Sequence, residues 1–172
     1  YADSFLHPIA LELLGDTAYL LDGGRILALS VKKPEDSAQP PTPKKLLSPG
    51  QEVEGIRVIE PLDLATDGDA LLALDRAGDV YRYEPATGHW TYDRPVRDTY
   101  DHYFVALASA DGASYLLETT HEQVWRFSSL VTETAARKGA PWIKLPQGRD
   151  VDLDAIASDA YILTRAMTSP LA

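Results

Sequence analysis

The sequence contains no cysteine, which excludes disulfide bonds, thiol nucleophiles and zinc–thiolate sites. It also has no apolar run near the roughly 20 residues that a membrane-spanning helix requires. Basic residues are few, because 16 Lys and Arg stand against 26 Asp and Glu, for a net charge of −10. Nucleic-acid affinity depends on clustered Lys and Arg, so this balance argues against a nucleic-acid partner. Glycine-rich nucleotide-binding motifs and G-x-S-x-G are missing as well.

What the sequence does contain is a series of short strand patterns, clearest between residues 61 and 92. Residues 62–66 alternate between larger and small or acidic side chains, with the period of two that a strand shows. Residues 70–75 are almost continuously apolar, as expected of a strand covered on both faces. Residues 80–83 are rich in aromatic and β-branched side chains, and residues 89–92 supply a short outer strand. Turn clusters containing glycine separate these segments, so they predict a four-stranded antiparallel meander.

This unit occurs four times along the chain. The four copies align without gaps and begin at Pro8, Pro61, Phe104 and Asp150. A leucine holds the fourth place of every copy, at Leu11, Leu64, Leu107 and Leu153. Eight places later come Tyr19, Leu72, Tyr115 and Tyr161, at spacings of 53, 43 and 46 residues. Periods of roughly 40–50 residues with several strands per unit are typical of propeller blades.

The sequence therefore predicts an all-β protein, a β-propeller of four-stranded antiparallel blades, about three and a half of them present. Residues 55–59 are expected to close the first blade as its outer strand. The predicted boundaries are blade one at about 5–60 with a Pro/Lys-rich loop at 32–48, blade two at about 61–99, blade three at about 100–148, and half of blade four at about 149–165.

The run DLATDGDALLALDRAGDVYRYEPATG, residues 63–88, resembles the blades of bacterial β-propellers of the broad NHL, quinoprotein-like and gluconolactonase-like kind. The resemblance implies blades packed radially around a channel, with ligands at one mouth of it. It implies no catalytic residue, because the shared motifs are those of the fold.

Three and a half blades do not close a ring, since propellers typically have four to eight. Open blades leave apolar sheet faces in water, which favours association. We therefore expect this chain to be a fragment of a longer propeller, or to be completed by a protein partner or by further copies of itself. The chain begins with Tyr1 and not Met, so a signal or anchor upstream and an extracytoplasmic location are expected.

Acidic side chains on the innermost strands are the candidates for chemistry. Asp152 aligns with Asp63 in the repeat, and Asp154 aligns with Glu12. Carboxylates that converge near a propeller axis could hold Ca²⁺, which takes six to eight oxygen ligands. The structural alternative is that such a carboxylate accepts hydrogen bonds from neighbouring backbone amides. Alanines at the matching places of blade three favour this alternative, because they indicate a face selected for small side chains.

These observations favour a non-catalytic binding or scaffold module with a protein partner, without a cofactor. The alternative function is a metal-dependent hydrolase or lactonase of propeller type, with Ca²⁺ held by the channel carboxylates. The two functions differ in a testable way. An enzyme requires a bound metal that is lost in Asp152→Ala, whereas a scaffold shows only a stability defect in that variant.

Overall fold

The computed structural model describes residues 5–32, 42–93, 103–110, 113–120, 123–128 and 143–144. These residues form three four-stranded antiparallel sheets and one short hairpin. The strands are β1 (Pro8–Leu14), β2 (Thr17–Asp22), β3 (Arg25–Ser30), β4 (Lys44–Leu47), β5 (Glu52–Val53), β6 (Ile56–Arg57), β7 (Pro61–Asp67), β8 (Ala70–Asp75), β9 (Val80–Glu84), β10 (His89–Asp93), β11 (Phe104–Ala110), β12 (Ala113–Glu118), β13 (Gln123–Ser128) and β14 (Ile143–Lys144). In these ranges no helix is long and apolar enough to cross a membrane.

Each four-stranded sheet is one blade, with its strands in chain order. Blade one is β1–β4, blade two is β7–β10 and blade three is β11–β14. The first strands, β1, β7 and β11, lie side by side in that order, so the blades stack around a common inner edge. The predicted outer strand of blade two is thereby confirmed at His89–Asp93, and Ile143–Lys144 takes the same place in blade three. Blade four lies outside the described residues, and the blade boundaries remain a prediction.

The prediction for the outer strand of blade one was wrong. Strand β4, Lys44–Leu47, pairs with β3 in that place, inside the range predicted as a loop. The reason is Leu47, which is only 2% exposed and anchors the strand in the core below it. Residues 56–57 instead pair with 52–53 in a hairpin whose turn residues, Glu54 and Gly55, both have positive φ. Such a two-residue turn matches the twist of paired strands, at some cost for a residue other than glycine.

Two apolar cores lie between neighbouring blades. Between blades one and two, Tyr19, Leu21 and Ile26 face Leu64, Leu71, Ala73, Tyr81 and Tyr83. Between blades two and three, Leu72, Leu74 and Val80 face Phe104, Leu107 and Leu116. Strand β8 contributes to both cores from its alternate faces, and all six of its residues are buried. The near-continuous apolar run of this strand correctly predicted that both of its faces are covered.

A β-bulge recurs at the same repeat position in all three inner strands. The register with the second strand shifts between Pro8 and Ala10, between Pro61 and Asp63, and between Phe104 and Ala106. A bulge adds one residue to a strand and redirects the side chains that follow it. In blade two the first residue after the bulge is Asp63, which places this carboxylate at the inner edge next to blade three.

An acidic residue ends the second strand of every described blade and is fully buried there. These residues are Asp22, Asp75 and Glu118, each 0% exposed. Asp22 accepts hydrogen bonds from the backbone N–H groups of Leu6 at 2.8 Å and His7 at 2.5 Å. Asp75 accepts from Ile59 N–H at 2.7 Å, again sixteen residues earlier in the chain. In blades one and two the carboxylate thus fastens the segment that enters the blade to its second strand, and the buried acid receives N–H donors.

Candidate functional site

Asp63 connects two blades through hydrogen bonds to backbone amides. Its Oδ1 accepts from the N–H of Leu64 at 2.9 Å, within its own strand. Its Oδ2 accepts from the N–H of Leu107 at 2.7 Å, on the inner strand of blade three. Each oxygen of this carboxylate therefore accepts a hydrogen bond from a backbone N–H group. This is the structural role that the repeat pattern offered as the alternative to metal binding.

The electrostatics of Asp63 follow from its partial burial near the inner edge. Burial raises the pKa of Asp63 from 3.8 to about 6, against the hydrogen bonds from Leu107 and Leu64, which lower it. Glu12 of blade one faces the same region. Burial raises the pKa of Glu12 too, and the negative charge of Asp63 raises it further. The fold therefore places two of the four predicted carboxylates near enough for the charge of Asp63 to raise the pKa of Glu12.

The other two predicted carboxylates, Asp152 and Asp154, lie outside the described residues. Among residues that the structure describes, no group of three or more His, Cys, Asp or Glu side chains is placed to hold a metal ion. Blade three contributes Ala106 and Ala108 to the inner strands, 5% and 4% exposed. Small side chains at these places fit the close approach of neighbouring inner strands.

In the Asp67-Gly68-Asp69 turn a carboxylate forms an ion pair with an arginine, which the sequence did not reveal. Asp67 accepts a hydrogen bond from the Arg82 guanidinium at 2.6 Å, and the same guanidinium donates to Glu84 at 2.8 Å. Asp67 is only 6% exposed, so the ion pair compensates the burial of its charge. Gly68 has φ of 60°, as the tight hairpin between β7 and β8 requires. The acidic turn therefore serves blade two itself.

A small open pocket lies where blade one leads into blade two. It has a volume of about 340 Å³ and is lined by Pro49, Gly50, Arg57, Val58 and Ile59. Gly50 donates a hydrogen bond to the carbonyl of Val58 at 2.8 Å, which ties the two walls of the pocket together. Ile59 is 49% exposed, so an apolar side chain and a guanidinium are offered to solvent side by side. The sequence patterns did not single out these residues, since neither repeat nor motif marks them.

Trp90 is a packing residue of blade two. Its ring lies 4.9 Å from that of Tyr83, centroid to centroid, and it packs against the core between blades one and two. Tyr83 in turn makes an edge contact with Tyr19 of blade one at 6.2 Å. These rings join the outer strand of blade two to the neighbouring blade. Trp142, which holds a comparable sequence position in blade three, lies outside the described residues.

No protein-family model matches the chain, and no curated protein sequence matches it either. Solved structures do resemble its fold. U3-55K superposes with a TM-score of 0.54 at 18% identity, over 84% of this chain and 41% of that one. YCF48 bound to D1 peptide gives 0.52 at 9%, over 84% and 41%. The β-propeller domain of Cps50 (Swd1) from Myceliophteria thermophila gives 0.50 at 11%, over 89% and 42%.

These likenesses show the fold. The chain forms part of a β-propeller, as the repeat predicted, and it spans less than half the length of each of these structures. The three described blades lie around a common inner edge and do not by themselves close a ring, as expected for part of a propeller.

Proposed function

We propose that this chain is part of a protein-binding propeller, a scaffold without catalytic activity. The observation that carries the proposal is the state of Asp63. Both of its oxygens accept backbone hydrogen bonds, one of them from the neighbouring blade, so the carboxylate acts on the protein's own structure. The proposal is supported by the structurally similar protein YCF48, which has been solved with the D1 peptide bound.

The pocket where blade one leads into blade two is the contact site that we propose for a partner segment. Arg57 supplies a guanidinium, which recognises carboxylates in planar, paired geometry. Ile59 supplies exposed apolar area beside it. A peptide that places an acidic group next to an apolar side chain would satisfy both. On a chain of net charge −10, such a cationic pocket also gives an acidic segment a defined place to bind.

Peptide phage display on the immobilised 172-residue chain tests this function. Peptides that are enriched are synthesised, and their affinity is measured by isothermal titration calorimetry. We expect acidic–apolar sequences whose affinity falls at least tenfold in Arg57→Glu and in Ile59→Asp. Lys32→Glu is the matched control, since it changes the charge equally at an exposed residue paired with Asp16. Equal loss in the control would show that the effect is only one of overall charge.

The metal-dependent hydrolase or lactonase is distinguished by a second titration, with CaCl₂ in place of peptide. The scaffold proposal expects no saturable Ca²⁺ binding and no lactone hydrolysis, in wild type or in Asp63→Asn. Saturable binding of Ca²⁺ and lactone turnover that are both lost in Asp63→Asn would overturn the scaffold and establish the enzyme. This experiment uses the inner-edge carboxylate, so its result is independent of the peptide pocket.

A further inference from the structure

Strand β1 presents an apolar stripe to solvent. Leu11 and Leu13 lie two residues apart on one face, 61% and 63% exposed, and Ile9 at the bulge is 50% exposed. Isolated apolar side chains are common on protein surfaces, but Leu11 and Leu13 are exposed neighbours on one face of a short strand. A patch of this kind marks an interaction surface.

The repeat shows what such a stripe packs against. Leu64 and Leu107 hold the place of Leu11 in blades two and three, and they are 3% and 0% exposed. Leu64 is buried in the core that Tyr19 and Leu21 of blade one help to form. Leu107 is buried in the same way by Leu72 and Leu74 of blade two. At this repeat place, leucine is buried by the second strand of the preceding blade.

We propose that the exposed stripe of β1 is the docking surface for one further propeller blade, supplied by the part of the ring that precedes blade one in space. The occupant presents an aromatic or leucine side chain and a leucine from its second strand, in the places of Tyr19 and Leu21. The proposal rests on the fold and is independent of the binding function proposed above.

A second copy of this chain does not fit the stripe as well as a further blade does. Across the described blades, every second-strand face that could cover a leucine is already buried: Tyr19 is 3% exposed, Leu72 5% and Tyr115 8%. Two copies would also bring together net charges of −10 each. The similar solved propellers are more than twice as long as the part that this chain matches, so a ring of this architecture has further blades to offer.

The test adds a blade and measures whether Leu11 becomes covered. Because the chain contains no cysteine, Leu11→Cys places a single thiol on the stripe. The extended protein carries a copy of residues 61–101 joined directly to Leu6, which preserves the repeat spacing from blade two to blade three. Maleimide labelling rates are compared in the extended and unextended chains. Glu52→Cys, an exposed residue of the β5–β6 hairpin, is the control thiol.

We expect the added blade to slow labelling of the Leu11→Cys thiol at least tenfold and to leave the Glu52→Cys thiol unchanged. Leu74→Asp in the added copy alone should restore fast labelling, since it disrupts the packing face. Equal labelling in both proteins, or an added blade that proteases digest like an unfolded chain, would overturn the proposal. Protection in the unextended chain that grows with its concentration would also overturn it, because a second copy would then be the occupant.

Discussion

Replacing Asp63 by asparagine should change how stability depends on pH. The pKa of Asp63 is about 6 in the fold and near 3.8 when exposed, so the folded state binds more protons between these values. Stability from this group is therefore fully present below pH 4 and is lost as the pH rises through 6. Linkage gives about 2 kcal/mol of this change between pH 4.5 and pH 7.5. Asparagine does not titrate and lacks this contribution.

The assay is urea unfolding followed by tryptophan fluorescence, at pH 4.5, 6 and 7.5, for wild type and Asp63→Asn. The free energy of unfolding of wild type minus that of the variant should decrease by about 2 kcal/mol from pH 4.5 to pH 7.5. Loss of the charge also removes one cause of the raised pKa of Glu12, which changes the difference in the same direction. Asp69→Asn, at an exposed turn position, is the control for a neutralised aspartate.

A difference between wild type and Asp63→Asn that is constant from pH 4.5 to pH 7.5 would refute this reasoning. It would mean that Asp63 is as well solvated in the fold as in the unfolded chain. A difference that increases with pH would mean that hydrogen bonds from Leu64 and Leu107 dominate over burial, and that the pKa is lowered.

Five further substitutions test the packing of the blades by urea unfolding at pH 7.5. Asp22→Ala removes the acceptor of the Leu6 and His7 N–H groups and the ion-pair partner of Arg25, and should cost about 2–4 kcal/mol. Burial raises the pKa of Asp22, but hydrogen bonds outweigh it and lower the pKa, so this cost should shrink below pH ~4. Arg82→Met should cost about 2–4 kcal/mol, because it removes the cation paired with the buried Asp67 carboxylate, whereas Arg76→Met at an exposed ion pair should cost less than about 1 kcal/mol. Leu64→Ala should cost about 3 kcal/mol and Leu11→Ala less than about 0.5 kcal/mol; equal costs would contradict the open face of blade one.

The blades were predictable because their signals are local and repeated. A strand covered on both faces must be apolar throughout, and β8 shows this in its sequence. The turn glycines are equally local, since positive φ favours that residue type. The outer strand of blade one was missed because only Leu46 and Leu47 carry its signal, next to two lysines and a proline-rich segment. Short edge strands depend on pairing with a neighbour, which sequence pattern does not report.

The candidate site was predictable only in part. Alignment of the repeats placed Asp63 on an inner strand, but its partner is an amide 44 residues away, and nothing in the pattern identifies which amide a carboxylate will reach. The buried acids that end the second strands were visible as a recurring Asp or Glu in the first three aligned copies. Their role became clear only from the contacts of Asp22 and Asp75 with the segments that enter the blades.

The most direct test of the central claim, that the inner-edge carboxylate joins two blades and does not hold a metal, is an NMR pH titration of the Leu107 amide. The account predicts that its ¹H and ¹⁵N shifts titrate with a midpoint near the Asp63 pKa of about 6, that this response is lost in Asp63→Asn, and that added Ca²⁺ leaves the shifts unchanged. Leu107 amide shifts that do not change with pH but do change on addition of Ca²⁺ would contradict the account.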